Sequence, residues 1–189
     1  MNTAGGRCFG ENFSLGYDDC VAIINPARIA FGPSQVIRAS FFKQVGYASG
    51  STHEAQLLLR ANFGANTIDS YEVLATDGAL QLMKWKGVVG GFAELPTDFA
   101  ASLDIQTGDI MIAQVSGISP VVIEVYRDRG GTITHWHTTH DDGTINGAVI
   151  PTGQPGLAGF YRDDPALVIP NFCWESWEAS DDPSDFHIP

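Results

Sequence analysis

The stretch SYEVLATDGALQLMKWKG, residues 70–87, decides the fold. Tyr71, Val73 and Ala75 alternate with Glu72 and Leu74, the period-2 pattern of a strand whose two faces differ. Thr76-Asp77-Gly78 interrupts the pattern, and a second extended run follows from Ala79 to Lys86. An Asp-Gly pair between two such runs marks a tight β-hairpin, because the favoured two-residue turns need backbone conformations that these residues adopt at little cost.

The same punctuation recurs on both sides. Upstream, QVIRASFF (35–42) reads as a strand and leads into a loop containing Gly46, Gly50 and Ser51. HEAQLLLRANF (53–63) has a composition that would suit a helix, but its shortness, the breakers Gly64 and Asn66 and the neighbouring strands favour β. Downstream, a short strand is expected at 91–95. Thr107-Gly108-Asp109 introduces a strand at 110–115. The alternation of Val121, Ile123 and Val125 with Glu124 and Tyr126 then runs through the turn Asp128-Arg129-Gly130-Gly131 into 132–138, a second hairpin. The acidic turn 140–143 closes it. Further short strands are expected at 147–151 and 159–161, FCWESWE (172–178) reads as the closing strand, and the tail beyond Ala179 is expected to be mobile.

Composition agrees with this reading. The chain has 189 residues with 44% hydrophobic content, enough for one continuous core, and its 21 glycines and 10 prolines suit many short strands. Turn signals recur at about the 8–12-residue spacing of a sandwich or barrel, and no repeat or linker divides the chain. The expected organisation is an N-terminal extension with a first strand (1–34), a sandwich (35–179) and an acidic tail (180–189).

The net charge of −12, with only ten Lys plus Arg, disfavours nucleic acid as a partner. Acidity of this kind keeps a surface solvated or supplies oxygen ligands to a hard cation. No run reaches the length of a membrane span, and the first ten residues lack a basic start and an apolar core. The expected settings are a virion or extracellular surface, or alternatively the cytoplasm. Cys8, Cys20 and Cys173 cannot all pair within the chain and match no zinc spacing.

The order of segments resembles a known family. LLLRA (57–61), the 70–87 hairpin, a Gly-Phe-Ala-Glu-Leu strand, TGDIMIAQVSG (107–117), VIEVYRDRGG and GQPGLAGFY (153–161) follow one another as in the concanavalin A-like, laminin G-like domains. FCWESWEAS is similar to that family's last strand, which pairs back near the N-terminus, with Glu11-Asn12-Phe13 the matching opening strand. The resemblance implies an all-β, two-sheet antiparallel jelly-roll sandwich. It leaves function open, since folds of this kind host lectins, glycanases and structural modules.

Four groups of residues are candidates for chemistry. In THWHTTHDDG (134–143), His135 and His137 would share one side of a regular strand, and with His140, Asp141 or Asp142 they could hold a transition metal or calcium. Two Asp pairs, Asp141-Asp142 and Asp163-Asp164, fall in or beside turns, where calcium sites occur and where turn preference alone also places aspartate. Trp136 and Tyr126 share strand faces with polar residues, Tyr126 with Glu124 and Asp128, and are the aromatics expected to be exposed for stacking against sugar rings; most of the others are expected in the core. Glycoside cleavage needs two carboxylates about 5–10 Å apart. No single strand carries such a pair: Glu124 stands alone, and Glu175 and Glu178, three apart, would point to opposite faces.

No phosphate-binding loop, serine-hydrolase elbow or paired CxxC is present. The expectation is a non-catalytic, lectin-like surface module that binds carbohydrate or other surface proteins, as a component of a virus or phage particle, and that could form a homo-oligomer. The alternatives are a purely structural capsid-decoration or tail protein, and a polysaccharide-active enzyme.

Overall fold

The computed structural model describes residues 2–4, 7–9, 20–44, 53–76, 78–96, 103–161, 172–186 and 188. Its strands are β1 (Asn2–Ala4), β2 (Arg7–Phe9), β3 (Cys20–Ile23), β4 (Gln35–Lys43), β5 (His53–Gly64), β6 (Thr67–Thr76), β7 (Ala79–Trp85), β8 (Phe92–Glu94), β9 (Ile110–Ser116), β10 (Val121–Arg129), β11 (Thr132–Asp141), β12 (Gln154–Tyr161) and β13 (Phe172–Ser180). They form two antiparallel sheets. One has seven strands in the order β1-β2-β13-β4-β9-β10-β11, and the other six in the order β3-β12-β5-β6-β7-β8. The fold is an all-β, two-sheet antiparallel jelly-roll sandwich. Residues before Gln35 add strands to both sheets, and β13 pairs with β2 through Trp174 and Cys8.

The 70–87 stretch forms the expected hairpin, with Thr76 opposite Ala79 and Ser70 opposite Trp85. Gly78 takes φ 137°, a conformation that side chains resist; Asp77 lies outside the described residues. This register sends Tyr71, Val73, Ala75, Leu80 and Leu82 into the space between the sheets. There they meet Ile37, Ala39 and Phe41 of β4 and Val121, Ile123 and Val125 of β10. Phe41 anchors one end, its ring 4.5 Å from Trp174 and 5.3 Å from Phe172.

Two polar devices cross this core. Lys84 of β7 and Asp141 of β11 are both fully buried and paired at 2.8 Å, and the Tyr71 hydroxyl donates to Asp141 at 2.6 Å. Lys84 also donates to the carbonyls of Ile145 and Gly147, and the Ile150 N–H donates to the Tyr71 hydroxyl. Burial and the neighbouring Asp141 push the Tyr71 hydroxyl well above its ordinary pKa. These bonds hold residues 145–150 as a bent loop against the core, so the short strand expected at 147–151 does not form. At the other end, Arg60 takes φ 51° at an irregularity of β5 and is buried. Its side chain donates to the carbonyls of Pro33, Ile150 and Gly117, and burial lowers its pKa.

The tail also departs from expectation. Pro183–Phe186 forms a 3-10 turn, and Phe186 is buried on the outer face of the seven-stranded sheet against Val36, Ile112 and Tyr126. The apolar surface left there by β4, β9 and β10 gives the tail something to pack on. Glu11-Asn12-Phe13 and Asp163-Asp164 lie outside the described residues, as does the side chain of Cys8 on which the cysteine pairing turns.

Candidate functional site: a groove on the six-stranded sheet

The residues singled out on β10 and β11 do not converge. The register between these strands shifts at Val125 and Tyr126, so that Val125 faces His137 while Tyr126 faces His135. The extra residue, Trp136, sits in a bulge. His135 is exposed on the outer side, its ring 5.1 Å from that of Tyr126 and its Nε2 2.8 Å from Thr138 Oγ1. His137, 9% exposed, faces the carbonyl of Pro96 at 3.3 Å. The bulge thus undoes the shared side expected of the His-x-His pair. Asp141 is committed to Lys84 and Tyr71, and Asp142 accepts hydrogen bonds from the N–H and hydroxyl of Thr144, which lower its pKa. His140 is exposed on β11. Among the described residues, no three His, Cys, Asp or Glu side chains come together as a metal ion would require.

The expected sugar platform is also not assembled. Tyr126 is only 5% exposed and packs under Phe186. Burial and the adjacent Glu124, which accepts its hydroxyl proton at 3.1 Å, push its pKa up to about 12. Glu124 also receives Gln114, and Asp128 caps the turn by accepting the Gly131 N–H. Trp136 packs partly against the main core, with the Arg127 guanidinium 5.6 Å from its ring. Glu178 is ion-paired with Arg38.

A groove of ≈ 960 Å³ lies instead on the outer face of the six-stranded sheet. Its floor follows from strand register. Leu58 of β5, Glu72 of β6, Met83 of β7 and Glu94 of β8 form one cross-strand row. Gln56, Leu74 and Gln81 form the next, with Glu54 beyond on β5. On β12 the same face presents Gly156 and Ala158. A Cβ on Gly156 would stand 2.4 Å from the Ala22 carbonyl, so β3 and β12 approach closely and Val21 reaches the groove.

Trp85 and Phe92 stand together at one end of the groove, their ring centroids 4.8 Å apart at 46°, and Phe92 is 52% exposed. Trp85 Nε1 donates to Glu72 Oε2 at 2.5 Å, which fixes the indole beside a carboxylate. Val89 and Gly90 of the 86–91 loop, with Phe63, complete that end. Asp69 ties the loop down: it receives the Lys86 ammonium at 2.5 Å and the Gly87 N–H at 2.9 Å. Burial would raise the Asp69 pKa, but these two hydrogen bonds outweigh it and hold the carboxyl below its usual range. Among the described residues the lining contains three carboxylates, Glu54, Glu72 and Glu94, and no Lys or Arg. Gln56 Nε2 donates to Glu54 at 3.0 Å.

No single strand signals this face, because Glu54, Glu72 and Glu94 sit on three different strands, β5, β6 and β8. The usable signal was the hairpin itself. Once Tyr71, Val73, Leu80 and Leu82 face inward, Glu72, Gln81, Met83 and Trp85 must face out together.

Fold and groove together define a β-sandwich with an open groove on one sheet. No protein-family model and no curated protein matches the chain. Among solved structures it is similar to sheep galectin-11 in complex with glycerol, with a TM-score of 0.43 at 8% identity over 88% of this chain and 100% of that one. It is also similar to SCP-B, an eqolisin-family peptidase in complex with a tripeptide, with a TM-score of 0.38 at 12% identity over 76% and 62%. A third is scytalido-glutamic peptidase with a peptide-based transition state analogue, with a TM-score of 0.37 at 10% identity over 87% and 74%. These are low scores at low identity, and the fold assignment rests on the strand pairing.

Proposed function

We propose that the protein is a carbohydrate-binding, lectin-like sandwich whose site is the groove of the six-stranded sheet. The observation that carries this reading is the Trp85–Phe92 pair set beside Glu72 and Glu94 in one open groove. A sugar ring has apolar C–H faces that stack on aromatic rings and a rim of hydroxyls that bond to carboxylates and amides. The groove offers both, with Gln56 and Gln81 one row further on.

Oligosaccharide binding measured on the intact chain tests the reading. Specific binding lost in Trp85→Ala and kept in a Trp136→Ala control supports it. Silence across a broad array, together with self-association through the exposed Val88, Val89 and Phe92, would move the assignment to a structural, surface-cementing role.

A second reading, polysaccharide cleavage, is favoured by the position of Glu72 and Glu94. They occupy one cross-strand row with β7 between them, which puts their backbones about 9–10 Å apart at the usual strand spacing. That is near the separation of an acid and a base acting on opposite sides of a glycosidic bond. Release of new reducing ends from a bound oligosaccharide, abolished in Glu94→Gln, would establish it. Binding without turnover would leave the protein a lectin.

A further inference from the structure

We infer that Lys84 and Asp141 condense, once the chain has folded, into an amide that ties the two sheets together through the core. The groove plays no part in this bond. What points to it is the way the reacting groups are held.

Lys84 of β7 and Asp141 of β11 come from opposite sheets and meet at 2.8 Å, with both side chains fully buried. The two oxygens of the Asp141 carboxyl have different partners. Oδ2 touches the Lys84 Nζ and accepts the Tyr71 hydroxyl at 2.6 Å, whereas Oδ1 accepts the Gly143 N–H at 2.9 Å. Nζ is aimed as well. It donates to the carbonyls of Ile145 at 2.8 Å and Gly147 at 2.6 Å, which leaves one of its three protons for Oδ2. The Tyr71 hydroxyl accepts the Ile150 N–H, and its own proton is thereby turned toward Oδ2.

Each contact has a place in amide formation. Keeping an ion pair out of water is costly. When the Nζ proton that faces Oδ2 passes to that oxygen, the pair becomes a neutral amine whose lone pair points at a neutral carboxyl. The lone pair forms the Nζ–Cγ bond, and the π electrons of the carbonyl move to Oδ1. There the Gly143 N–H steadies the new charge, as an oxyanion-hole donor does. Oδ1 then restores its double bond and the Cγ–Oδ2 bond breaks, its electron pair going to Oδ2.

A second Nζ proton joins Oδ2, so that one water leaves and one N–H stays on the amide. From ammonium and carboxylate the atoms balance with no outside acid, base or oxidant. Tyr71 assists by hydrogen-bonding to the departing oxygen. Burial and the bond to Asp141 push its pKa well above the ordinary value, so it stays a donor. The product leaves no new orphan at the bond: Oδ1 keeps the Gly143 N–H, and the amide N–H faces the carbonyls of Ile145 and Gly147. Fixing both partners in contact supplies the proximity that makes such a step fast enough to occur unaided.

Mass spectrometry of the intact, denatured full chain tests this, with Lys84→Arg and Asp141→Ala as references. The wild type is expected to be lighter than its sequence requires by one water, and each variant to carry its full mass once the substitution is allowed for. A tryptic digest of the wild type should contain one branched species, the peptide bearing Lys84 joined to the peptide bearing Asp141, with no cleavage after Lys84. Sampled over time after synthesis, Tyr71→Phe should lose its water at least about tenfold more slowly.

A wild-type chain at full mass overturns the inference whether or not the variants fold, because the reading is made on denatured protein. A missing water that maps to an Asp-Gly pair, such as Asp142-Gly143, also overturns it, since ring closure there expels water too. Water loss in Tyr71→Phe at the wild-type rate would overturn the part given to Tyr71.

Discussion

On the seven-stranded sheet the outer face of β4, β9 and β10 presents Val36, Ile112 and Tyr126, and the chain's own tail closes over them. Phe186 seats there, with the Arg38 guanidinium 4.6 Å from its ring. On the six-stranded sheet the outer face mixes Trp85, Phe92, Leu74 and Met83 with Glu54, Glu72, Glu94, Gln56 and Gln81, and there it forms a groove. Both faces come from the same pleat and the same hairpin chemistry. What separates them is the cost of leaving each in water. The apolar cluster of Val36, Ile112 and Tyr126 would lose roughly 25 cal/mol for every Å² left exposed, and it recruits a cover. Gln81 and Glu94 stay exposed to water, so this mixed face can stay open. The covered face contributes to stability, and the open one leaves a groove at the surface.

Four experiments test that contrast. The largest effect is expected from Lys84→Ala, which lies beneath both faces and strands the buried Asp141 carboxylate. Denaturant unfolding should show a loss of about 3–5 kcal/mol. A loss under 1 kcal/mol would mean that the buried pair is not what joins the sheets at this end.

Phe186→Ala should come next, removing about 1–3 kcal/mol of burial from the covered face and raising the binding of a hydrophobic dye. Oligosaccharide affinity should stay unchanged, and if it falls with stability the two faces are coupled rather than separate. Trp85→Ala should do the reverse. Affinity is expected to drop at least tenfold, about 1.4 kcal/mol, with a smaller loss of stability than Phe186→Ala causes.

The smallest effect is expected at Asp69. Because its carboxyl is held below the ordinary range in the folded state, the stabilisation it gives the 86–91 loop is complete above the unfolded value, about pH 4. It is lost as pH falls through the folded value. Hydrogen exchange at Gly87 and Val89 should therefore quicken, relative to core amides, only in acid. In Asp69→Asn that acid-dependent step should vanish and the loop should be looser by about 0.5 kcal/mol at neutral pH.

Much of the fold was legible. The strands β4, β5, β6, β7, β9, β10 and β13 lie where alternation and turn residues place them, because both are local properties of the chain. The choice of β over helix for residues 53–63 also holds, since β5 is inserted between β12 and β6 with Leu57 and Leu59 turned inward. The bent loop at 145–150 was not legible, because it depends on Lys84 and Tyr71, more than sixty residues away. Nor was the tail's docking, since Phe186 finds its place only once Val36, Ile112 and Tyr126 lie side by side.

The candidate site shows the same division. Local sequence puts Glu72 and Leu74, and then Gln81, Met83 and Trp85, on one side of a hairpin, because an Asp-Gly turn fixes register over a few residues and the strand period is two. It could not reveal the bulge at Trp136 that parts His135 from His137, since a bulge is a mismatch between two strands and belongs to neither alone. Only the tertiary structure placed Glu54 and Glu94 beside Glu72, and Phe92 against Trp85. These neighbours are joined by backbone hydrogen bonds between strands, so their proximity depends on which strands pair and in what register, and the spacing of residues along the chain does not encode it directly.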